Sequence, residues 1–418
     1  MKIKKSFEDM TQVNCRFCNS KLNNVIIDLG ESPLANSYLK KEDFEQEKFF
    51  RLKVYICSKC FLVQIEEIEA PEEIFSNYAY FSSYSQSWLT HAKKFTEMIT
   101  TKFNFNKNSL VIEIASNDGY LLQYFQQKKI PILGIEPASN IAQVAISKNI
   151  PTKNVFFESK IALDLVKDGK QADLIIGNNV LAHVTKLNDF IKGLKILLKD
   201  TGIISLEFPH LLQLMKFNQF DTIYHEHFSY FSLITLKNIF SHHNLKIFDV
   251  DELKTHGGSL RIYITHIENN KVSKNENVEN LINKEKEFGL DQIKTYENFS
   301  KNTINIKNEL IEFLKISKKN GKKVVCYGAP AKGNTLLNYC KIFTELIEYT
   351  VDKNPHKQNL FLPGSHIPIF SPDKIQETKP DYVLILPWNL KDEIIEQMNY
   401  INNWGGKFVI PIPKVSII

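Results

Sequence analysis

Between residues 110 and 207 short apolar runs recur, each followed by a helical pattern, and this alternation restricts the fold more than any other feature of the chain. Leu110-Val-Ile-Glu-Ile114, Ile132-Leu-Gly-Ile-Glu136, Asp173-Leu-Ile-Ile-Gly177 and Ile203-Ile-Ser-Leu-Glu207 are almost continuous in aliphatic side chains. Strands of that kind are buried on both faces, so they predict a parallel sheet covered by helices on both sides. Segments 244–250 and 259–264, joined through Thr255-His-Gly-Gly258, predict an antiparallel pair at its end.

Ligands of such sheets bind at the carboxyl ends of the strands. Those ends carry Ala115, Ser116, Asn117, Asp118 and Gly119, then Glu136, then Asn178 and Asn179. Gly119 allows close approach of backbone to a ligand, and an acid ending the second strand stands where a ribose diol is commonly held. No G-x-G-x-x-G follows the first strand, which favours a nucleoside without a pyrophosphate, such as S-adenosylmethionine, over NAD. His183 lies just past a strand end on the same side. Arg261, mid-strand, would either pair with a buried acid or reach a substrate phosphate.

Phe220-Asp-Thr-Ile-Tyr-His-Glu-His-Phe-Ser-Tyr-Phe-Ser232 concentrates groups that move protons or hold oxyanions. Tyr224, Glu226 and His227 are its candidate catalytic residues. Residues 71–103 have helical spacing with a break near 82–85, and the Tyr78-Ala-Tyr80-Phe-Ser-Ser-Tyr84 cluster there offers phenols to a site.

Cys15-x-x-Cys18 and Cys57-x-x-Cys60 are two knuckles able to supply the four ligands of a structural zinc ion; four thiolates leave no open position for catalysis. Segments 25–29 and 49–55 predict strands between them. At the other end, a strand over 322–327 runs through Gly328-Ala-Pro-Ala-Lys332-Gly into Asn334, a loop opening a helix where a nucleotide diphosphate could bind. Gly328, Lys332 and Asn334 are its candidates. Further strands fall at 349–352 and 382–386, and residues 269–323 form an amphipathic helical connector.

These boundaries give a zinc-binding unit over 1–70, the strand–helix domain over 71–266, the connector over 267–320 and a second α/β unit over 321–418. The fold class is α/β, with two Rossmann-like sheets. A formal charge of +5 over 418 residues, with acids and lysines interspersed, does not indicate a nucleic-acid surface. No run is long enough to span a bilayer, and residues 1–10 lack a secretory h-region. The expected location is cytoplasmic, in a reducing compartment, and the expected state a monomer or weak homo-oligomer.

Taken in order, the four-cysteine knuckles, Glu-Ile-Ala-Ser-Asn-Asp-Gly119, Gly-Ile-Glu-Pro137, Asn-Asn-Val-Leu-Ala-His183, the His-Glu-His227 segment, His-Gly-Gly-Ser-Leu-Arg261, Tyr-Gly-Ala-Pro-Ala-Lys-Gly333 and Leu-Pro-Gly-Ser-His-Ile-Pro368 resemble the S-adenosylmethionine-dependent sugar C-methyltransferases of deoxysugar pathways. Ala115 departs from the glycine common in methyltransferases. The resemblance implies an N-terminal zinc domain, a central methyltransferase domain and a C-terminal domain holding a nucleotide sugar. The implied substrate is a nucleotide-linked 4-keto-deoxysugar, methylated at C3. Tyr78 (or Tyr80), His183, Tyr224, Glu226 and His227 match the family's pocket groups.

The chemistry expected is removal of the C3 proton by the His227/Glu226 pair, with His183 as rival base. Tyr224 and Tyr78 would donate to the C4 oxygen, and the enolate would take the sulfonium methyl in line. An O- or N-methyltransferase on a related metabolite and a non-catalytic sugar-nucleotide-binding protein are the alternatives.

Overall fold

The computed structural model describes residues 13–68 and 81–418; Tyr78 and Tyr80 lie outside the described residues. Three sheets organise the chain. The first is antiparallel and small: β1 (Asn24–Ser32), β2 (Phe50–Ile56) and β3 (Val63–Ile65), with a fourth strand, β9 (Ser229–Tyr230), contributed from far along the sequence.

The central sheet follows the expected alternation. It contains β4 (Val111–Ile114), β5 (Ile132–Ile135), β6 (Thr152–Lys153), β7 (Ala172–Asn178), β8 (Leu198–Pro209), β10 (Leu245–Leu253) and β11 (Ser259–His266). The spatial order is β10-β11-β8-β7-β4-β5-β6. β4 through β8 run parallel, and β11 is antiparallel to both of its neighbours. Successive residues explain the unbroken apolar runs: Ile112, Ile175 and Ile204 enter one core, while Val111, Leu174 and Ile203 enter the core on the opposite face. From β4 the chain builds outward first through β5 and β6, then through β7 and β8, so the switch point of the sheet lies between β4 and β7.

The third sheet has the order β14-β13-β12-β15-β16-β17. Its members are β12 (Val324–Tyr327), β13 (Thr350–Val351), β14 (Ile369–Phe370), β15 (Tyr382–Ile385), β16 (Lys407–Ile410) and β17 (Ser416–Ile417), parallel except for the last. Helices Glu276–Phe288 and Ile293–Lys319 connect the two larger sheets. Strands of the first and third sheets share one apolar core with residues around Phe220 and Phe228.

The connector does more than span a gap. Glu285, fully buried, accepts from the Leu233 and Ile234 backbone nitrogens (2.7 and 2.9 Å) and meets His210 Nε2 at 2.7 Å. It thereby caps the helix Leu233–His242. Glu285→Ala would orphan two buried N–H groups and a buried imidazole, so a loss of about 3–5 kcal/mol is expected, read as a lowered unfolding midpoint. A change within 0.5 kcal/mol would show that water replaces the carboxylate.

Candidate functional site

One cavity of about 540 Å³ opens at the switch point and runs from the ends of β4, β5 and β7 to the loop after β12. All three sheets contribute to its wall: Asn36 follows β1, Glu136 and Asn178 end central strands, and Lys332 starts the helix Ala331–Cys340.

At the strand ends Ala115, Asn117, Glu136, Asn178 and Asn179 line the cavity. Glu136 is held rigidly: one oxygen accepts from Asn117 N (2.9 Å), the other from Ala138 N (2.8 Å). Burial raises its pKa to about 6. Each oxygen keeps a further lone pair for a hydroxyl. The Oδ1 atoms of Asn178 and Asn179 are buried with no hydrogen-bond partner among the described residues. A nucleoside bearing a ribose diol and an ammonium group brings the donors that this acceptor-rich wall lacks, and these residues could hold S-adenosylmethionine. Ala115 adopts φ 54° and Asn117 φ 49°. A glycine at position 115 would take that left-handed conformation at roughly 1 kcal/mol less strain.

Ser116, Asp118 and Gly119 do not line the cavity. The Ser116 side chain packs against Gly134, and Asp118 meets Ser83 and Lys148. Gly119, at φ 77°, backs onto Ile150, where a Cβ would come within 2.8 Å of a side-chain carbon. These three shape the turn whose neighbours face the ligand space.

Beyond the strand ends the cavity meets His183, Tyr224 and His227. The two imidazole rings stand 4.8 Å apart, edge to face. His183 Nδ1 lies 2.7 Å from the Glu226 carbonyl, and His227 Nδ1 lies 3.0 Å from the Thr222 carbonyl. A carbonyl only accepts, so both rings carry their hydrogen on Nδ1 and a lone pair on Nε2. The Tyr224 hydroxyl donates to His227 Nε2 at 2.8 Å. Burial lowers the pKa of His183 to about 4 and holds His227 well below the usual imidazole value. Both are neutral near pH 7, the form in which a histidine can take a proton.

The expected His227/Glu226 pair is not what the fold builds. The chain turns at His225–Glu226, with His227 N donating to the Tyr224 carbonyl at 2.9 Å, and the two side chains leave the turn in different directions: both Glu226 oxygens accept from Asn36 Nδ2 (2.7 and 2.8 Å), and Glu226 itself is not part of the cavity lining. His225 points into the protein beside Phe50, with ring centroids 6.0 Å apart. Of His-Glu-His227, the last residue alone lines the cavity.

Among the sugar-nucleotide candidates, Lys332 lines the cavity, with Nζ 2.8 Å from Asn389 Oδ1 and 4.6 Å from the Trp388 ring centroid. Asn334 donates instead to the Ala35 carbonyl at 2.7 Å, fastening the first unit to the third. Gly328, at φ 89°, packs on Pro387 outside the lining. Arg261 follows the buried-acid alternative: it bonds Glu207 at 2.5 Å and lies over the Phe95 ring. Cavity-lining residues that sequence reasoning left without a role include Asn36, Trp88, Lys357 and His256. The signal for His256 was its place in the His-Gly-Gly turn, where it adopts φ 54° and its Nε2 accepts from Asn179 Nδ2 at 3.2 Å.

The four cysteine sulfurs lie within 4.8 Å of one another, with Cys15–Cys60 and Cys18–Cys57 separations of 3.5 Å. Four thiolates about 2.3 Å from a tetrahedral zinc stand about 3.8 Å apart, so the cluster fits the ion. Gln64 Nε2 and Lys59 N point donors at Cys15 and Cys57 (3.3 and 3.4 Å), as thiolate ligands require.

Family models cover most of the chain: a zinc binding domain over residues 15–75, a methyltransferase domain over 89–250 and a C-methyltransferase C-terminal domain over 254–413. C-methyltransferase NovU of Streptomyces niveus is 33% identical over 405 residues, 97% of this chain and 96% of that protein. The chain belongs to this family of S-adenosylmethionine-dependent C-methyltransferases. Similar solved structures include an S-adenosylmethionine-dependent methyltransferase from Anabaena variabilis, 15% identical, covering 48% of this chain and all of that one with a TM-score of 0.34. Magnesium protoporphyrin IX methyltransferase from Synechocystis, 14% identical, covers 43% of this chain and 79% of that one with a TM-score of 0.33. Family membership makes the four-cysteine cluster a zinc site and S-adenosylmethionine the methyl donor. No described helix is long and apolar enough to cross a membrane.

Proposed function

We propose that this C-methyltransferase acts at C3 of a nucleotide-linked 4-keto-deoxysugar. The observation that supports the reading is the single cavity in which acceptor-rich strand ends, a neutral imidazole–phenol pair and a lysine of the third sheet's unit face one another. S-adenosylmethionine supplies an electrophilic methyl group, and a sugar carbon can take it once an adjacent ketone has let the carbon lose a proton.

Enolisation needs a donor at the ketone oxygen and a base at the neighbouring C–H, side by side. Tyr224 and His227 already share one hydrogen bond of 2.8 Å. A ketone oxygen arriving there takes over the Tyr224 hydrogen, and the His227 Nε2 lone pair then faces the C3 proton. His183, whose ring meets that of His227, is the second imidazole in reach. Domain boundaries at 70, 266 and 320 and a cytoplasmic location belong to the same reading.

The test is solvent deuterium exchange into dTDP-, GDP- and CDP-linked 4-keto-6-deoxyhexoses without a methyl donor, followed by location of the methyl group after adding S-adenosylmethionine. Deuterium and methyl at C3 are expected. A C4 ketone also acidifies C5, so both labels at C5 would move the reaction to that carbon. A product methylated on oxygen or nitrogen, without exchange, would overturn the enolate route.

A further inference from the structure

Lys332 is an odd residue to find on the wall of this cavity. Its ammonium has an amide oxygen and an indole face for neighbours, and among the described residues no carboxylate lies within ion-pairing distance. The acid whose charge acts on it, Asp221, accepts instead from Trp388 Nε1 at 2.6 Å, and its Oδ1 has no hydrogen-bond partner among the described residues. Partly buried cations without a contacting anion are unfavourable in the empty state. Such a charge is useful only if an anion appears beside it.

The position of the charge distinguishes which anion. Lys332 lines the same cavity as Tyr224, His227 and His256, and its charge disfavours the protonated forms of both imidazoles. Asn389 and Trp388 hold the side chain, and Trp388 is packed in turn against the turn carrying His256: a Cβ on Gly257 would meet its ring at 2.6 Å. The arrangement is a held cation on the wall of the cavity that also contains the base, joined by packing to the turn between β10 and β11 of the central sheet.

We propose that Lys332 stabilises the enolate oxygen of the substrate, forming with Tyr224 a two-donor oxyanion site, and does not serve as the diphosphate contact suggested by its loop. This rests on the keto-sugar reading above. When the C3–H bond breaks, the proton passes to His227 Nε2, the C–H pair becomes the C3–C4 double bond, and the carbonyl π pair moves onto oxygen. The new negative charge then lies beside an ammonium whose neighbours already hold it in place. Preorganised charge of this kind acts on the transition state more than on the bound ketone.

Lys332→Met keeps the unbranched stem of the side chain, one atom shorter, and removes the charge. The expected result is a fall in kcat of roughly 10²–10³, the scale for loss of one oxyanion donor, with KM for dTDP-4-keto-6-deoxyglucose changed less than about threefold. Deuterium exchange without methyl donor should fall in parallel, and Lys332→Arg should recover part of it. The melting temperature should hold or rise, because an uncompensated buried charge is gone. A tenfold or greater rise in KM with kcat retained would overturn the proposal and return Lys332 to diphosphate binding; full retention of both would overturn it as well. Should Lys332→Met not fold, Lys332→Gln is judged by the same kcat and KM outcomes. Absence of exchange in the unmutated enzyme would instead sink the keto-sugar reading, which keeps the two failures apart.

Discussion

Replacing His227 by Asn is expected to lower kcat by roughly two to four orders of magnitude, the range for loss of a positioned general base. The ring is the one group of the His-Glu-His segment that reaches the cavity, and its Nε2 is the acceptor that Tyr224 now occupies at 2.8 Å. Asn retains a donor for the Thr222 carbonyl but offers no basic nitrogen. Deuterium exchange and methyl transfer should decline together, since proton removal precedes both. If exchange survived intact, the base would be His183, whose tautomer the Glu226 carbonyl fixes in the same sense. The pH profile adds a second check. Burial lowers the His227 pKa, so the lone-pair form persists as pH falls through 6.5, and the acid limb of kcat should appear below that value. An acid limb centred at or above 6.5 would contradict a buried, neutral imidazole.

The sequence made the central sheet readable because strands buried on both faces have a distinctive composition. The same runs that predicted strands at 110–114 and 173–177 now divide residue by residue between two cores. The cysteine spacing was equally direct, since ligand geometry dictates it. The catalytic surroundings were less accessible. Glu226 and His227 are adjacent in sequence, which suggested a pair, but the chain turns at 225–226 and their side chains diverge to Asn36 and to Thr222 and Tyr224. Arg261 gave no sign of whether it faced a ligand or an acid until Glu207 was found opposite it across β8 and β11. Asn334, inside a loop that reads as an anion site, is spent on the Ala35 carbonyl, a contact between residues 299 apart in sequence. Side-chain direction at such long range depends on how the three sheets meet, and no local pattern encodes it.

Stripping zinc is expected to abolish both exchange and methyl transfer, although the metal stands outside the cavity. Apparent zinc affinities of small four-ligand sites amount to about 10–16 kcal/mol, while an entire domain is stable by about 5–15. A unit that loses the ion therefore loses enough to unfold. The consequence travels along bonds present in the structure. Gln64 donates to Cys15 Sγ at 3.3 Å, accepts from Arg16 N at 2.9 Å and pairs with Ser229 as part of β3 against β9. Arg16 reaches on to the Phe228 carbonyl at 2.7 Å. Ser229 and Phe228 directly follow His227, so the zinc knuckles anchor the far side of the segment that carries the base. Asn36, in the same unit, fixes the residue whose carbonyl orients His183. Chelation at neutral pH should release one zinc per chain, open residues 13–68 to proteolysis and stop exchange even at saturating nucleotide sugar; added zinc should restore all three. A metal-free protein that resists protease and keeps its exchange rate would show that packing of the first sheet on the third suffices without the ion.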